Sequence, residues 1–215
     1  MEQTAIEFKN VTKLYGEGGT KAVDDISFEI KEGELITVLG SSGSGKTTTL
    51  KMINRLIRED AGNITFFGED ISGMNEVDLR RKIGYVVQQI GLFPHMTVAQ
   101  NIATVPELLK WDKKEIQARV KELLELVQLD PNVFADRKPK QLSGGQQQRI
   151  GVARALAANP KVMLLDEPFG AVDAITRLQL QNELQKIRKE LGDKTFVLVT
   201  HDINEAFKLG TRVLI

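Results

Sequence analysis

The most specific chemistry in the chain sits at Gly40–Thr47, GSSGSGKT, which fits the spacing G-x-x-x-x-G-K-[ST]. The run LITVL before it is continuously apolar, as expected of a strand buried on both faces. The residues after it, TTLKMINRL, read as a helix. A glycine-rich turn in that place lets the backbone N–H groups of Ser41, Ser42, Gly43, Ser44 and Gly45 point inward around phosphate oxygens. Lys46 is placed to reach β- and γ-phosphates, and Thr47 to coordinate Mg²⁺, with the Thr48 hydroxyl at the same helix mouth. The plain alternative is a flexible glycine loop, and the strand-turn-helix context argues against it.

Three further apolar strands are followed by polar residues in the same way. VMLLDE, Val162–Glu167, ends in two carboxylates. A carboxylate at the C-terminal end of a parallel strand faces the crevice where ligands bind in open α/β sheets. Asp166 is expected to hold Mg²⁺, and Glu167 to orient or deprotonate an attacking water. Alone, the pair reads as a solvated strand end; beside a phosphate loop the metal reading is the stronger one. His201 follows FVLVT, and Gln88 follows IGYVV. His201 is expected to act in catalysis. The Gln88 amide is suited to ligate Mg²⁺ and position water, with neighbouring Gln89 as a rival. Tyr15, expected in a loop before the second strand, is a candidate to stack on adenine. A second anion site is suggested by LSGGQQQRI, where Ser143, Gly144, Gly145 and Gln146 open a helix.

These residues need elements to position them. IEFKNVT and ISFEI alternate and read as strands joined by a turn-rich connection, GEGGTKAVDD. ITFFGEDI reads as a hairpin, VDLRRK as a short helix and IGYVVQ as a strand. From residue 89 the pattern turns helical: Ile116, Val120, Leu123, Leu124 and Val127 share one helical face, and Asp130-Pro131 ends it. Strands return at VMLLDEP and TFVLVTHD, flanking a helix near 174–191. This is strand–helix alternation around a parallel sheet with a helical insertion. The expected division is one domain over 1–215, with a core of 1–88 and 158–215 and a helical subdomain of 89–157. Val213–Ile215 read as the start of a strand with nowhere to go, so the C-terminal end is expected to be trimmed.

With 215 residues the chain is long enough for a sound core. Lysine plus arginine balances aspartate plus glutamate, 29 each, which disfavours a general nucleic-acid binder. There is no cysteine, which excludes disulfides and thiolate metal sites. MEQTAIEFKN has no secretory signal pattern, and no apolar run is long enough for a membrane-spanning helix. The cytoplasm is the expected compartment.

The order of motifs is phosphate loop, Gln88, LSGGQ, LLDE, the loop GAVD ending at Asp173, and His201. It resembles the ABC ATPases, the nucleotide-binding subunits of ATP-binding-cassette transporters, over the whole chain. The resemblance implies an α/β fold: a P-loop NTPase core with a mainly parallel sheet and flanking helices, an N-terminal antiparallel β subdomain and the inserted helical subdomain. It also implies ATP and Mg²⁺ as cofactors and a head-to-tail dimer of two such subunits. Each ATP is then sandwiched between one copy's phosphate loop and the other copy's Ser143–Gln146. Asp173 matches the family's loop that signals between the two sites, and Tyr15 its adenine-stacking aromatic. GAVD departs mildly from the usual GALD or SALD. The implied partners are integral membrane permease subunits on the cytoplasmic face of the membrane. An extracytoplasmic solute-binding protein or domain takes part indirectly.

KMINRLI, LRRKIGYVVQQIGLFPHMTVAQNI, VPELLKW and LSGGQQQRIGVARALAANP are similar to the ATPase subunits of importers of glycine betaine, carnitine and choline. Amino-acid and methionine importers share part of this pattern and are the alternative. In this resemblance the residues just after Gln88 touch the permease. A soluble ABC ATPase acting on DNA or ribosomes is disfavoured: no long heptad run lies between Gln88 and Leu142, there is one such domain, and the charge is neutral.

Overall fold

A computed structural model describes residues 3–16, 19–88, 90–170 and 172–215. Gln89, the rival to Gln88, lies outside the described residues. The chain starts with two long antiparallel strands, β1 (Thr4–Tyr15) and β2 (Thr20–Lys31). Strand β3 (Leu35–Leu39) then leads through the glycine-rich turn into α1 (Lys46–Ile53). The hairpin β4 (Ala61–Phe66) and β5 (Glu69–Asp70) follows, then α2 (Glu76–Arg81) and β6 (Ile83–Val86). Next come α3 (Val98–Leu108), α4 (Lys113–Leu126), α5 (Pro131–Phe134) and α6 (Gly144–Leu156). The chain closes with β7 (Val162–Asp166), α7 (Ala174–Leu191), β8 (Thr195–Thr200), α8 (Ile203–Leu209) and β9 (Arg212–Leu214).

These strands form two sheets. One is antiparallel, in the order β2-β1-β4-β5; the other is parallel, in the order β6-β7-β8-β3-β9. The alternation of β1 turns Ile6 and Phe8 inward, Val11 is buried beyond a register shift, and Phe8 stacks on Phe28 across the strands at 4.5 Å between ring centroids. β7 and β8 are buried along their whole length, which is why both read as uninterrupted apolar runs. One face of the parallel sheet packs with the antiparallel sheet and α1 around Ile36, Leu164 and Val197. The other face packs with α3, α4 and α6 around Leu165, Leu198 and Ile150.

Four local expectations change. The connection expected over Gly16–Asp25 is strand from Thr20 onward, because Lys21 and Val23 pair with Leu14 and Lys13. Tyr15 therefore ends β1 opposite Thr20 rather than lying in a loop. Asp130-Pro131 does not end α4, which stops at Leu126 with Val127 as its C-cap, ahead of Gln128 at φ 58°; instead Asp130 caps α5 by accepting from the Asn132 N–H. Residues Arg212–Leu214 do have a partner: they pair in parallel with Ile36–Val38 of β3.

Candidate functional site

Strand register assembles the site. In the parallel sheet Leu39 is level with Thr200, Asp166 with Val199 and Val86 with Leu165. The residues that follow are Gly40, His201, Glu167 and, two places on, Gln88. All therefore leave the sheet at one edge, the C-terminal ends of its strands. Gln88, Glu167 and His201 line a cleft of about 690 Å³ together with Tyr15, Ala22 and residues 42–48.

The turn from Gly40 to Thr47 is held from both sides. Gly45 has φ 87°, and a Cβ there would lie 2.2 Å from the Ala22 carbonyl of β2, so only glycine fits. This close approach explains why Ala22, which carries no sequence signal, lines the cleft. Lys46 is 6% exposed, and its ammonium donates to the Ser41 carbonyl at 2.6 Å. Ser41 thus serves through its backbone and is absent from the cleft lining. Tyr15 is at the rim, 44% exposed, with the Lys13 ammonium 5.7 Å from its ring centre.

Asp166 is buried behind Thr47 and does not itself line the cleft. It accepts from the Thr47 hydroxyl at 2.8 Å on Oδ1 and from the Tyr85 hydroxyl at 3.3 Å on Oδ2. Burial, and then the Asp166 charge, push the Tyr85 hydroxyl far above the ordinary tyrosine value, so it stays protonated and donating. Sequence reasoning missed Tyr85. Its signal was a hydroxyl-bearing aromatic inside the otherwise apolar strand IGYVV.

Glu167 has φ 44°, a left-handed conformation for a non-glycine residue. Such geometry costs on the order of 1–3 kcal/mol and persists where surrounding structure imposes it. Here the Glu167 N–H donates to Val199 O at 3.0 Å, and the Gly170 N–H donates to Glu167 O at 3.1 Å. The same carboxylate oxygen, Oε2, accepts from Gln88 Nε2 at 3.1 Å and lies 3.3 Å from His201 Nδ1. An acid, an amide and an imidazole from three strand ends thus converge on one oxygen. That arrangement can hold and deprotonate a water beside a phosphate.

The remaining candidates gather elsewhere. None of Ser143, Gly144, Gly145, Gln146 or Asp173 lines the cleft. Ser143 caps α6: its Oγ accepts from the Gln146 N–H at 3.2 Å, while Gln146 Oε1 accepts from the Ser143 N–H at 3.0 Å. Asp173 caps α7 by accepting from the N–H groups of Ile175 and Thr176 and from the Thr176 hydroxyl, and these bonds hold its carboxyl below the usual range. A Cβ on Gly145 would lie 2.9 Å from Thr176 Cγ2, so the two helix starts abut. The chain therefore carries two separate sets, one around the cleft and one at the mouths of α6 and α7.

A parallel sheet with a glycine-rich phosphate turn, two carboxylates at the end of its strand β7 and a second helix-mouth set defines a nucleotide-binding cassette. The family model for the ABC transporter matches residues 23–170, and the chain belongs to that family. Over 98% of its length it is 57% identical to the choline transport ATP-binding protein OpuBA of Bacillus subtilis, covering 54% of that protein. It is 54% identical to the glycine betaine uptake system ATP-binding protein YehX of Escherichia coli, over 98% of this chain and 67% of that one. The chain spans about half the length of most of the curated relatives it matches. Among solved structures it is similar to a dimeric ATP-binding cassette in a post-hydrolysis state bound to ADP and Pi. That match has a TM-score of 0.83 and 39% identity, covering 97% of this chain and 92% of that one.

Proposed function

We propose that this chain is the ATP-hydrolysing, energy-coupling part of an importer for quaternary-amine osmoprotectants. The observation that carries the reading is the convergence of Gln88, Glu167 and His201 on one carboxylate oxygen in the cleft that the phosphate turn lines. The reaction is ATP + H₂O → ADP + phosphate. Residues Ser42–Gly45 cradle the phosphates with backbone N–H groups, Lys46 neutralises their charge, and Tyr15 stacks on the base. Glu167 takes the proton of the attacking water, which Gln88 and His201 position.

The donor set suits Mg²⁺. Thr47 Oγ1 and Asp166 Oδ1 are hard oxygens 2.8 Å apart, with the Gln88 amide in the same cleft. Among the described residues no three acidic or histidine side chains gather into a self-sufficient metal cage. Mg²⁺ typically takes one or two protein ligands and completes its shell with phosphate and water. When bound, it supplies charge neutralisation at the β- and γ-phosphates.

The second set, Ser143–Gln146 with Asp173, lies outside the lining of the chain's own cleft. In this reading it holds the γ-phosphate of a second copy in a head-to-tail dimer, so hydrolysis waits on closure. The core is 1–88 with 158–215, and the helical subdomain is 89–157. Residues 90–97 contact the permease on the cytoplasmic face of the membrane, and a solute-binding protein or domain acts on the far side. The names of the choline and glycine betaine relatives support this solute class.

Light scattering on the Glu167→Gln variant tests the reading. ATP is expected to shift it from monomer to dimer, because binding is retained and turnover removed. A variant that binds ATP and remains monomeric would count against the shared site.

A further inference from the structure

His201 is exposed, its side chain 60% accessible, and its imidazole meets the Glu167 carboxylate at 3.3 Å. A side chain this open takes its position from the backbone on either side. Thr200, before it, is 2% exposed. Its hydroxyl donates to Glu205 Oε2 and accepts the Asp202 N–H at 3.0 Å. Asp202, after it, accepts the Glu205 N–H on Oδ1 at 3.1 Å, and its Oδ2 lies 3.5 Å from the Arg177 guanidinium. Both flanks of His201 therefore lead to Glu205.

Glu205 is itself 5% exposed, and its second oxygen faces Gln181 Nε2 of α7 at 3.5 Å. Burying a carboxyl is costly unless it is bonded, and here burial pushes it above its ordinary value. Starting α8 needs only the Asp202 cap, and an apolar residue at 205 would fill the space with no such penalty. The carboxyl is explained by what it holds. We propose that Glu205 is a positioning residue for His201, fixing through Thr200 and Asp202 the turn that presents the imidazole to Glu167. This deepens the hydrolase reading and rests on it.

The test is a double-mutant cycle on the full chain. It follows single-turnover phosphate release from γ-labelled ATP, with ATP affinity measured in parallel. Glu205→Ala is expected to slow release at least about tenfold while ATP affinity changes less than about twofold. Glu205→Gln, which can still accept from Thr200, restores most of the rate. In a His201→Ala background Glu205→Ala is expected to add less than about twofold, because both changes act through the same imidazole. The same tenfold penalty in both backgrounds, or none in either, would overturn the proposal. If Glu205→Ala does not fold, Thr200→Val, which removes the hydroxyl and keeps the shape, carries the same comparison with the same outcomes. A wild-type chain without turnover removes the hydrolase reading and this proposal together. A wild type that turns over, with additive variants, removes this proposal alone.

Discussion

The Thr47 hydroxyl donates to Asp166 Oδ1 at 2.8 Å across 119 residues of sequence, joining the mouth of α1 to the end of β7. The two oxygens are thereby held side by side. Thr47→Ala is expected to weaken Mg²⁺-dependent ATP binding roughly tenfold, the scale of one hydrogen bond to a charged group. Thr47→Ser should retain it. Titration of labelled ATP with and without EDTA checks this, and equal affinity for the alanine variant would remove Thr47 from the metal site.

Ser143→Arg separates the two sets. The cap it removes is worth about 1 kcal/mol, but the cleft contains no residue from the mouth of α6. The monomer should bind ATP as the wild type does, while turnover falls roughly 100-fold, comparable to losing a transition-state donor. Lost affinity in the monomer would mean that the chain's own nucleotide sits under LSGGQ.

Gly45→Ala places a methyl 2.2 Å from the Ala22 carbonyl in a backbone conformation with φ 87°. It should abolish ATP binding and cost about 1–3 kcal/mol of stability. Urea unfolding and ATP titration report the two effects, and a stable variant that still binds would contradict the packing of β2 against the turn.

Arg154 of α6 donates to the Ile90 and Gly91 carbonyls, both at 2.8 Å, just beyond Gln88. Arg154→Met leaves both without that donor and is expected to lower stability by about 1–3 kcal/mol, read as a lower urea midpoint. An unchanged midpoint would mean that water replaces the guanidinium without loss.

Burial raises Glu205 from its ordinary 4.5, so the folded state holds this proton more tightly than the unfolded one. Its contribution to stability is complete below pH 4.5 and is lost as pH rises through the folded value. Glu205→Gln removes that slope. The stability of the variant relative to wild type should therefore increase from pH 5 to pH 8, measured by urea midpoints. A constant difference would show a carboxyl with no net shift.

Much of the cleft was legible because its signals are local. A buried parallel strand is an apolar run, and the first polar residue after it leaves the sheet at the ligand-binding edge. Glu167 and His201 announce themselves in this way, and Gln88 does so two places beyond β6. Tyr15 reads in the sequence as a loop aromatic suited to stack on adenine, whereas it ends β1 opposite Thr20. The register shifts in β1, at Phe8/Val11 and again at Val11/Lys13 and Lys13/Leu14, break the alternation that would have extended both strands to the turn. β9 was read as unpartnered because three residues do not reveal which strand they pair with.

The sequence by itself determined the phosphate turn, the two carboxylates and the helix mouth at Ser143. Each of these depends on backbone periodicity, glycine φ freedom or capping within a few residues. The tertiary structure alone decided that Ala22 touches Gly45, that Tyr85 donates to Asp166, that Arg154 holds the segment beside Gln88, and that Glu205 is buried against Gln181 of α7. Those contacts join residues from different elements. They follow from strand register and from which polar groups are buried together, and neither is written in the spacing of any one segment.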